Sequence, residues 1–296
     1  MNYTVLGFIA VGLLLVLGIL LTGGEEYTRV ESLDAGHHEN HIHGIGYDPR
    51  SDRVYLATHY GLFMLEDELY RVGRLRDDLM GFTSHPEDPD VLYASGHPRG
   101  GGNLGVIRSE DGGISWDTIF HGLHDETVDF HSMTLSPADP TILMGAYGGT
   151  YYVRDDGWRI VRAQGLPDTG LCWGVPCLHL DSRVRERAYA GTTLGLYVSE
   201  DLGETWTEIA SGQFGAIAAH PEDANILYSF RDATVMISED HGRTWQRRDA
   251  GIEVAPYHFG FQFVFHPEDP TTIFFATTEN HVYRTDDAGM AWKRIL

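Results

Sequence analysis

Ser109-Glu110-Asp111-Gly112-Gly113-Ile114-Ser115-Trp116 returns as Ser199-Glu200-Asp201-Leu202-Gly203-Glu204-Thr205-Trp206 and as Ser238-Glu239-Asp240-His241-Gly242-Arg243-Thr244-Trp245. A looser copy is Thr285-Asp286-Asp287-Ala288-Gly289-Met290-Ala291-Trp292. The recurring Ser/Thr-x-Asp-x-Gly-x-Thr-Trp has the chemistry of a tight turn between two strands. Its carboxylate accepts backbone N–H groups, and its Gly takes the positive-φ position that a side chain resists. The Trp opens the outgoing strand and packs between neighbouring units. Copies at regular intervals mean a repeat architecture before they mean any chemistry.

The flanks repeat as well. A short apolar strand runs into a turn at Gly44-Ile45-Gly46-Tyr47-Asp48-Pro49, Gly81-Phe82-Thr83-Ser84-His85-Pro86 and Met133-Thr134-Leu135-Ser136-Pro137. Cys177-Leu178-His179-Leu180-Asp181, Ala216-Ile217-Ala218-Ala219-His220-Pro221 and Phe263-Val264-Phe265-His266-Pro267 complete the set. A second strand follows each turn, then a third of the Gly195-Leu196-Tyr197 kind, then the box and a last strand. Degenerate boxes at Asp67 and Asp156 fill the gaps, and the marker carboxylates fall about 39 to 46 residues apart. Four strands per unit of that length predict β-propeller blades. The expected fold is all-β: a six-bladed propeller of four-stranded blades over residues 41–296, preceded by one N-terminal transmembrane helix. No spare strand is evident to close the ring, although Tyr27 to Leu33 could pair with an outer edge.

The chain has 296 residues and a formal net charge of −22 spread along its length, which argues against nucleic acid as a partner. Lys293 is the single lysine, so 20 of the 21 basic residues are arginine. Acidic, lysine-poor surfaces suit high salt; an acidic exported protein from a GC-rich genome would have the same composition. Val5 to Leu21 is an unbroken apolar and Gly run, close to the minimum length for a membrane span. No Lys or Arg precedes it and no Ala-x-Ala site follows, so an uncleaved anchor over residues 1–24 is expected. The acidic flank then places the bulk of the chain outside the cytoplasm, at the cell surface or in the periplasm. Residues 25–40 read as a polar tether.

Sixteen histidines are unevenly placed. His85, His220 and His266 sit in His-Pro-Glu-Asp turns and read as solvent-facing. Others fall near the start of the innermost strands or the end of the second strands: His41, His43 and His59, then Met80 and His97, then His131. In a propeller such positions converge on one channel mouth. Imidazoles with a thioether there suit copper or zinc, with Asp129 placed to orient His131. Equally, these imidazoles could hydrogen-bond backbone groups and hold the blades together. Asp78, Asp129, His179 and His258 are further candidate ligand-binding residues. Cys172 and Cys177, the only cysteines, read as a disulfide closing a short Gly/Pro loop if the chain is exported. Ser95 to Asn103 is a Gly-rich loop, a long hairpin connection or a flap over the channel, and not a phosphate loop.

With boxes, repeat and local motifs together, residues 41–296 resemble the Asp-box (BNR) repeat propellers, which include sialidases, the sortilin ectodomain and a photosystem II assembly propeller. The stretches His41-Ile42-His43-Gly44, Asp78-Leu79-Met80-Gly81-Phe82, Ser95-Gly96-His97-Pro98 and Asp129-Phe130-His131 are most similar to exported, glycosyl-hydrolase-like members from bacteria and archaea. The resemblance implies the fold; one fold hosts many functions. Sialidase chemistry would need three arginines, a Tyr–Glu nucleophile pair and an acid/base Asp, and the Arg-Ile-Pro motif of that group is absent. The sequence reading is therefore a membrane-anchored, extracytoplasmic binding or assembly module whose His/Met-lined mouth would hold either a metal ion, copper or zinc, or a small ligand, with an unidentified protein as the other candidate partner. The alternative is a glycosyl-hydrolase-like enzyme acting on an extracellular glycan through carboxylates such as Asp78 and Asp129.

Overall fold

The computed structural model describes residues 26–33 and 40–296. The apolar run expected to span a membrane lies outside the described residues. Six antiparallel sheets are each built from consecutive strands. Their innermost strands are Ile42–Asp48, Asp78–Ser84, Ser132–Leu135, Cys177–Leu180, Phe214–Ala219 and Gly260–Phe265. Each touches the next, and the sixth touches the first, so the ring is closed. The chain is an all-β six-bladed propeller of four-stranded blades. Blade 1 carries a fifth strand, because Tyr27–Val30 pairs antiparallel with Leu69–Val72 on its outer edge. Part of the expected tether is thus propeller.

Close blade packing explains the small residues on the innermost strands. A Cβ on Gly44 would lie 2.5 Å from the Cβ of Phe82 in blade 2. The innermost strands would also leave unpaired edge N–H groups, a cost for any sheet edge. At several blade junctions a polar side chain of one blade satisfies the next blade instead. Ser132 Oγ accepts from Leu178 N at 3.0 Å, His179 Nε2 from Ala219 N at 2.9 Å, and Gln262 Oε1 from Ile45 N at 2.8 Å.

The boxes fold as their chemistry predicts. Asp201 accepts from Thr205 N and Thr205 Oγ1 at 2.9 and 2.6 Å, and Ser199 Oγ accepts from Gly203 N at 2.8 Å. Two successive residues, not one, adopt positive φ: Leu202 at 55° before Gly203 at 90°, and His241 at 60° before Gly242 at 82°. Each box docks on the first turn of its own blade, as in Leu202 N to Glu186 O at 2.8 Å. Because the strands alternate in direction, boxes and first turns share one end of the propeller. The innermost strands begin at the other end.

The histidines of the first turns are not simply solvent-facing. His85, His220 and His266 are half-buried, and each Nδ1 accepts two backbone N–H groups at 3.1–3.2 Å. Asp181 does the same in blade 4 with its carboxylate. These rings cap turns.

Candidate functional site

At the end away from the boxes, three strand starts and two strand ends place imidazoles and carboxylates together. They form two triads. In the first, the His59 Nδ1–H donates to Asp78 Oδ2 at 2.9 Å, and the His43 and His59 rings meet edge to face, 4.2 Å between centroids. His43 Nδ1 lies 3.4 Å from Asp78 Oδ1, yet neither atom makes a hydrogen bond, and His43 Nε2 has no partner either. The His43 side chain has no exposed surface. Burial, reinforced by His59, pulls its pKa down to about 3, so the ring is neutral and keeps a free lone pair. Burial alone would raise Asp78, but the His59 hydrogen bond and the surrounding imidazoles hold it below the ordinary carboxylate value.

The second triad is His97, Asp129 and His131. Both Nε2 atoms point at Asp129 Oδ2, from 3.0 Å for His97 and 2.7 Å for His131. The remaining Nδ1 atoms face acceptors too: Gly102 O at 3.3 Å and Trp173 O at 3.2 Å. A carbonyl and a carboxylate only accept, so His131 must donate from both nitrogens, which is the protonated form. Its pKa is raised accordingly, chiefly by the bond to Asp129. Asp129 orients His131, as the sequence suggested.

One ligand atom from each member of either triad lies within 4.8 Å of the others. The triads differ in what those atoms already do. The second is filled with protons and hydrogen bonds, whereas the first holds a buried imidazole nitrogen and a buried carboxylate oxygen side by side, neither of them hydrogen-bonded.

Trp173 links them. Its ring lies 4.4 Å from that of His43 while its carbonyl faces His131, and its own Nε1 is buried without a partner. It sits in the loop closed by the Cys172–Cys177 disulfide, directly before the innermost strand of blade 4. Sequence reasoning singled out the cysteines and missed the Trp between them. The loop occupies the same place in blade 4 as Asp129-Phe130-His131 in blade 3, and that equivalence was the available signal. Below the triads runs a cavity of about 620 Å³ down the axis, lined by His43, Met80, His131, Trp173 and residues from every innermost strand.

The other candidates sit elsewhere. His41 packs edge-on against His59 at 5.5 Å, outside both triads. His179 lines the cavity, but burial lowers its pKa to about 4 and its Nε2 is committed to Ala219 N, a structural role in place of the expected ligand contact. His258 bonds the Thr278 hydroxyl at 3.1 Å in blade 6 and joins neither triad.

Residues 194–296 match the family model described as "Sortilin, neurotensin receptor 3". Over 103 residues the chain is 32% identical to a probable oligoxyloglucan-reducing end-specific xyloglucanase of Neosartorya fischeri, covering 34% of this chain and 13% of that protein. Among solved structures, the GH74 xyloglucanase from Xanthomonas campestris superposes with a TM-score of 0.60 at 16% identity, over 92% of this chain and 47% of its own. YCF48 from Cyanidioschyzon merolae gives 0.52 at 15% identity, over 91% and 88%. The chain thus spans under half of the xyloglucanases it matches. At these identities the structural likeness is one of fold.

Proposed function

We propose that this chain is a membrane-anchored, extracytoplasmic propeller that binds one divalent first-row transition metal, zinc or copper, on His43, His59 and Asp78. The observation that carries the reading is the pair His43 Nδ1 and Asp78 Oδ1, buried, unbonded and 3.4 Å apart. Two donors on a tetrahedral zinc with bonds of 2.0–2.1 Å stand about 3.3 Å apart. A buried imidazole nitrogen and a buried carboxylate oxygen that face each other without a hydrogen bond cost folding energy that a shared cation would recover. His59 donates its Nδ1–H to Asp78, the arrangement in which a carboxylate fixes a ligand imidazole. Met80 lines the channel with His43, and a thioether nearby is the kind of group that favours copper. Three protein donors leave a coordination position for a small ligand or a partner's side chain, which suits a binding or assembly role. The disulfide at the mouth supports an oxidising compartment.

Metal analysis and calorimetric titration of the full chain with zinc and copper test this. One equivalent is expected, lost in His43→Ala and His59→Ala and retained in His97→Ala. No bound metal and no thermal shift on adding either ion would sink it.

The glycosyl-hydrolase-like alternative draws support from the xyloglucanase neighbours. Both channel-mouth carboxylates are engaged by imidazoles, and Asp78 is held towards its ionised form, a poor setting for a general acid. Hydrolysis of xyloglucan or another extracellular glycan, abolished by Asp78→Asn or Asp129→Asn, would replace the binding reading with the enzymatic one.

A further inference from the structure

Carboxylates outnumber basic side chains about two to one in this chain, 43 to 21. Arginines accordingly find acidic partners with ease: Arg50 with Asp48 and Asp90, Arg187 with Glu200, Arg284 with Asp52 and Asp286. Other arginines, such as Arg154 and Arg183, meet backbone carbonyls instead, but three at the mouth are held by carbonyls or a ring face as a cluster. Arg71, Arg76 and Arg99 gather around Tyr60, the residue directly after His59, and none of them meets a carboxylate through its guanidinium among the described residues.

The geometry is specific. Arg71 Nη1 donates to Tyr60 O at 3.0 Å, with its guanidinium 4.6 Å above the Phe63 ring. Arg76 Nη1 donates to Gly73 O and Leu75 O at 3.0 and 2.7 Å. Arg99 lies 5.9 Å over the Tyr60 ring, and its backbone N–H, not its side chain, takes Asp77 Oδ1 at 3.0 Å. Carbonyls and ring faces hold the three stems in place and leave most of their N–H donors unused. They come from three separate segments: the outer strand of blade 1, the connection into blade 2, and the Gly-rich loop after His97. The charges are near enough to oppose one another, since burial and then Arg76 and Arg99 lower Arg71, and burial and then Arg99 lower Arg76. Asp77 and Asp78 lie in the same segment as Arg76, but one is spent on a backbone N–H and the other on His59, so neither neutralises a guanidinium directly; like charges held together in this way favour an anion between them.

We infer that Arg71, Arg76 and Arg99 form an oxyanion-binding subsite beside the first triad, for the carboxylate, sulfate or phosphate group of a small ligand. Planar guanidinium forks match such groups bidentately. On a molecule of net charge −22 such a local cluster of guanidinium groups gives an anion a point of attraction against the overall repulsion. The subsite stands on its own residues and holds whether or not a metal occupies the triad.

The probes are inorganic phosphate, inorganic sulfate and glucuronate, titrated into the full chain by calorimetry at low ionic strength. Saturable binding of at least one is expected. Arg99→Gln, the most exposed of the three, should weaken it by about tenfold, the loss of one charge-assisted contact. Arg71→Gln should do the same, and rising NaCl should compete. Metal uptake in Arg99→Gln should remain as in the parent, which separates this subsite from the triad. Two results would overturn the inference. One is no saturable binding of any probe to a folded chain. The other is binding that Arg71→Gln and Arg99→Gln both leave unchanged.

Discussion

His43 is the residue on which the mouth turns. A buried imidazole with no partner on either nitrogen is worse for folding than a hydrocarbon of similar size. His43→Leu is therefore expected to leave the metal-free protein as stable as the parent, or up to about 1–3 kcal/mol more stable, while removing any metal-induced rise in Tm. A chemical melt with and without zinc checks both halves, and a substitution that merely unfolds the chain would contradict the first. The pH dependence follows from the same atoms. His43 is held at about 3 when folded, well below the unfolded value of about 6.5. Between those values the unfolded chain binds the extra proton, so stability falls as pH drops through this window, and His43→Leu should flatten the fall. His131 acts in the opposite sense. Its raised pKa gives stability that is complete below about 6.5 and lost as pH rises through the folded value. His131→Gln should abolish that second slope, measured as denaturation midpoint against pH. Positions of these side chains were legible from blade equivalence, because start-of-strand residues converge whatever their identity. Their division of labour was not, since it depends on which nitrogen meets a carbonyl such as Trp173 O or Gly102 O, and no spacing encodes that.

At the scale of the element, the box is a turn whose cost is visible. A non-Gly residue at φ 55–60°, as in Leu202, His241 and Ala288, costs on the order of 1 kcal/mol or more. Asp hydrogen bonds offset that cost, and the copies differ in how many they make. Asp201 and Asp240 each hold a Thr hydroxyl through Oδ2, at 2.6 and 2.7 Å. Asp287 has only Ala291 N on this side, at 2.9 Å, because Ala291 has no hydroxyl. Its Trp292 also departs from the others, donating to Arg248 O at 2.7 Å where Trp206 donates within its own box. Ala291→Thr should complete the fourth box and stabilise the protein by about 1 kcal/mol, read as a shift in urea midpoint at constant slope. An unchanged midpoint would mean that the box bonds contribute nothing net. The motif announced the turn in sequence, but the left-handed residue before the Gly was hidden, since that position varies among Leu, His and Ala and neither Leu nor Ala signals such a conformation. Bonds from the box back to the first turn, such as Leu202 N to Glu186 O, fix that conformation from outside the motif.

The whole molecule closes by an unusual economy. Among the described residues no strand is exchanged between the first and last blades; blades 1 and 6 meet through side chains, and one shared core joins Ile45 and Tyr47 to Phe261 and Phe274. Asn280, at φ 63°, accepts from Ile42 N at 2.8 Å and donates to Asn40 O at 2.6 Å. Asn280→Ala removes both bonds and places a less tolerant residue in the left-handed region, so a loss of about 2–4 kcal/mol is expected, against an unchanged midpoint if packing alone seals the ring. Blade number and strand content were readable from the repeat, whereas the seam was not, because a contact between residues 40 and 280 obeys no local period. Charge sets the last condition. A net charge of −22 makes the folded state repel itself over distances that hydrogen bonds do not cover. Raising ionic strength from about 0.1 to 1 M shortens the Debye length from about 10 to 3 Å, which screens this repulsion. Short pairs such as Arg284 with Asp52, at 2.8 Å, lie inside even the shorter length and lose less. Tm should therefore climb steadily over this range in both NaCl and KCl, two salts that share ionic strength while differing in cation. A Tm that is flat or falls with salt would show that the dispersed carboxylates are already neutralised by their arginines, and that acidity here is a matter of solubility alone.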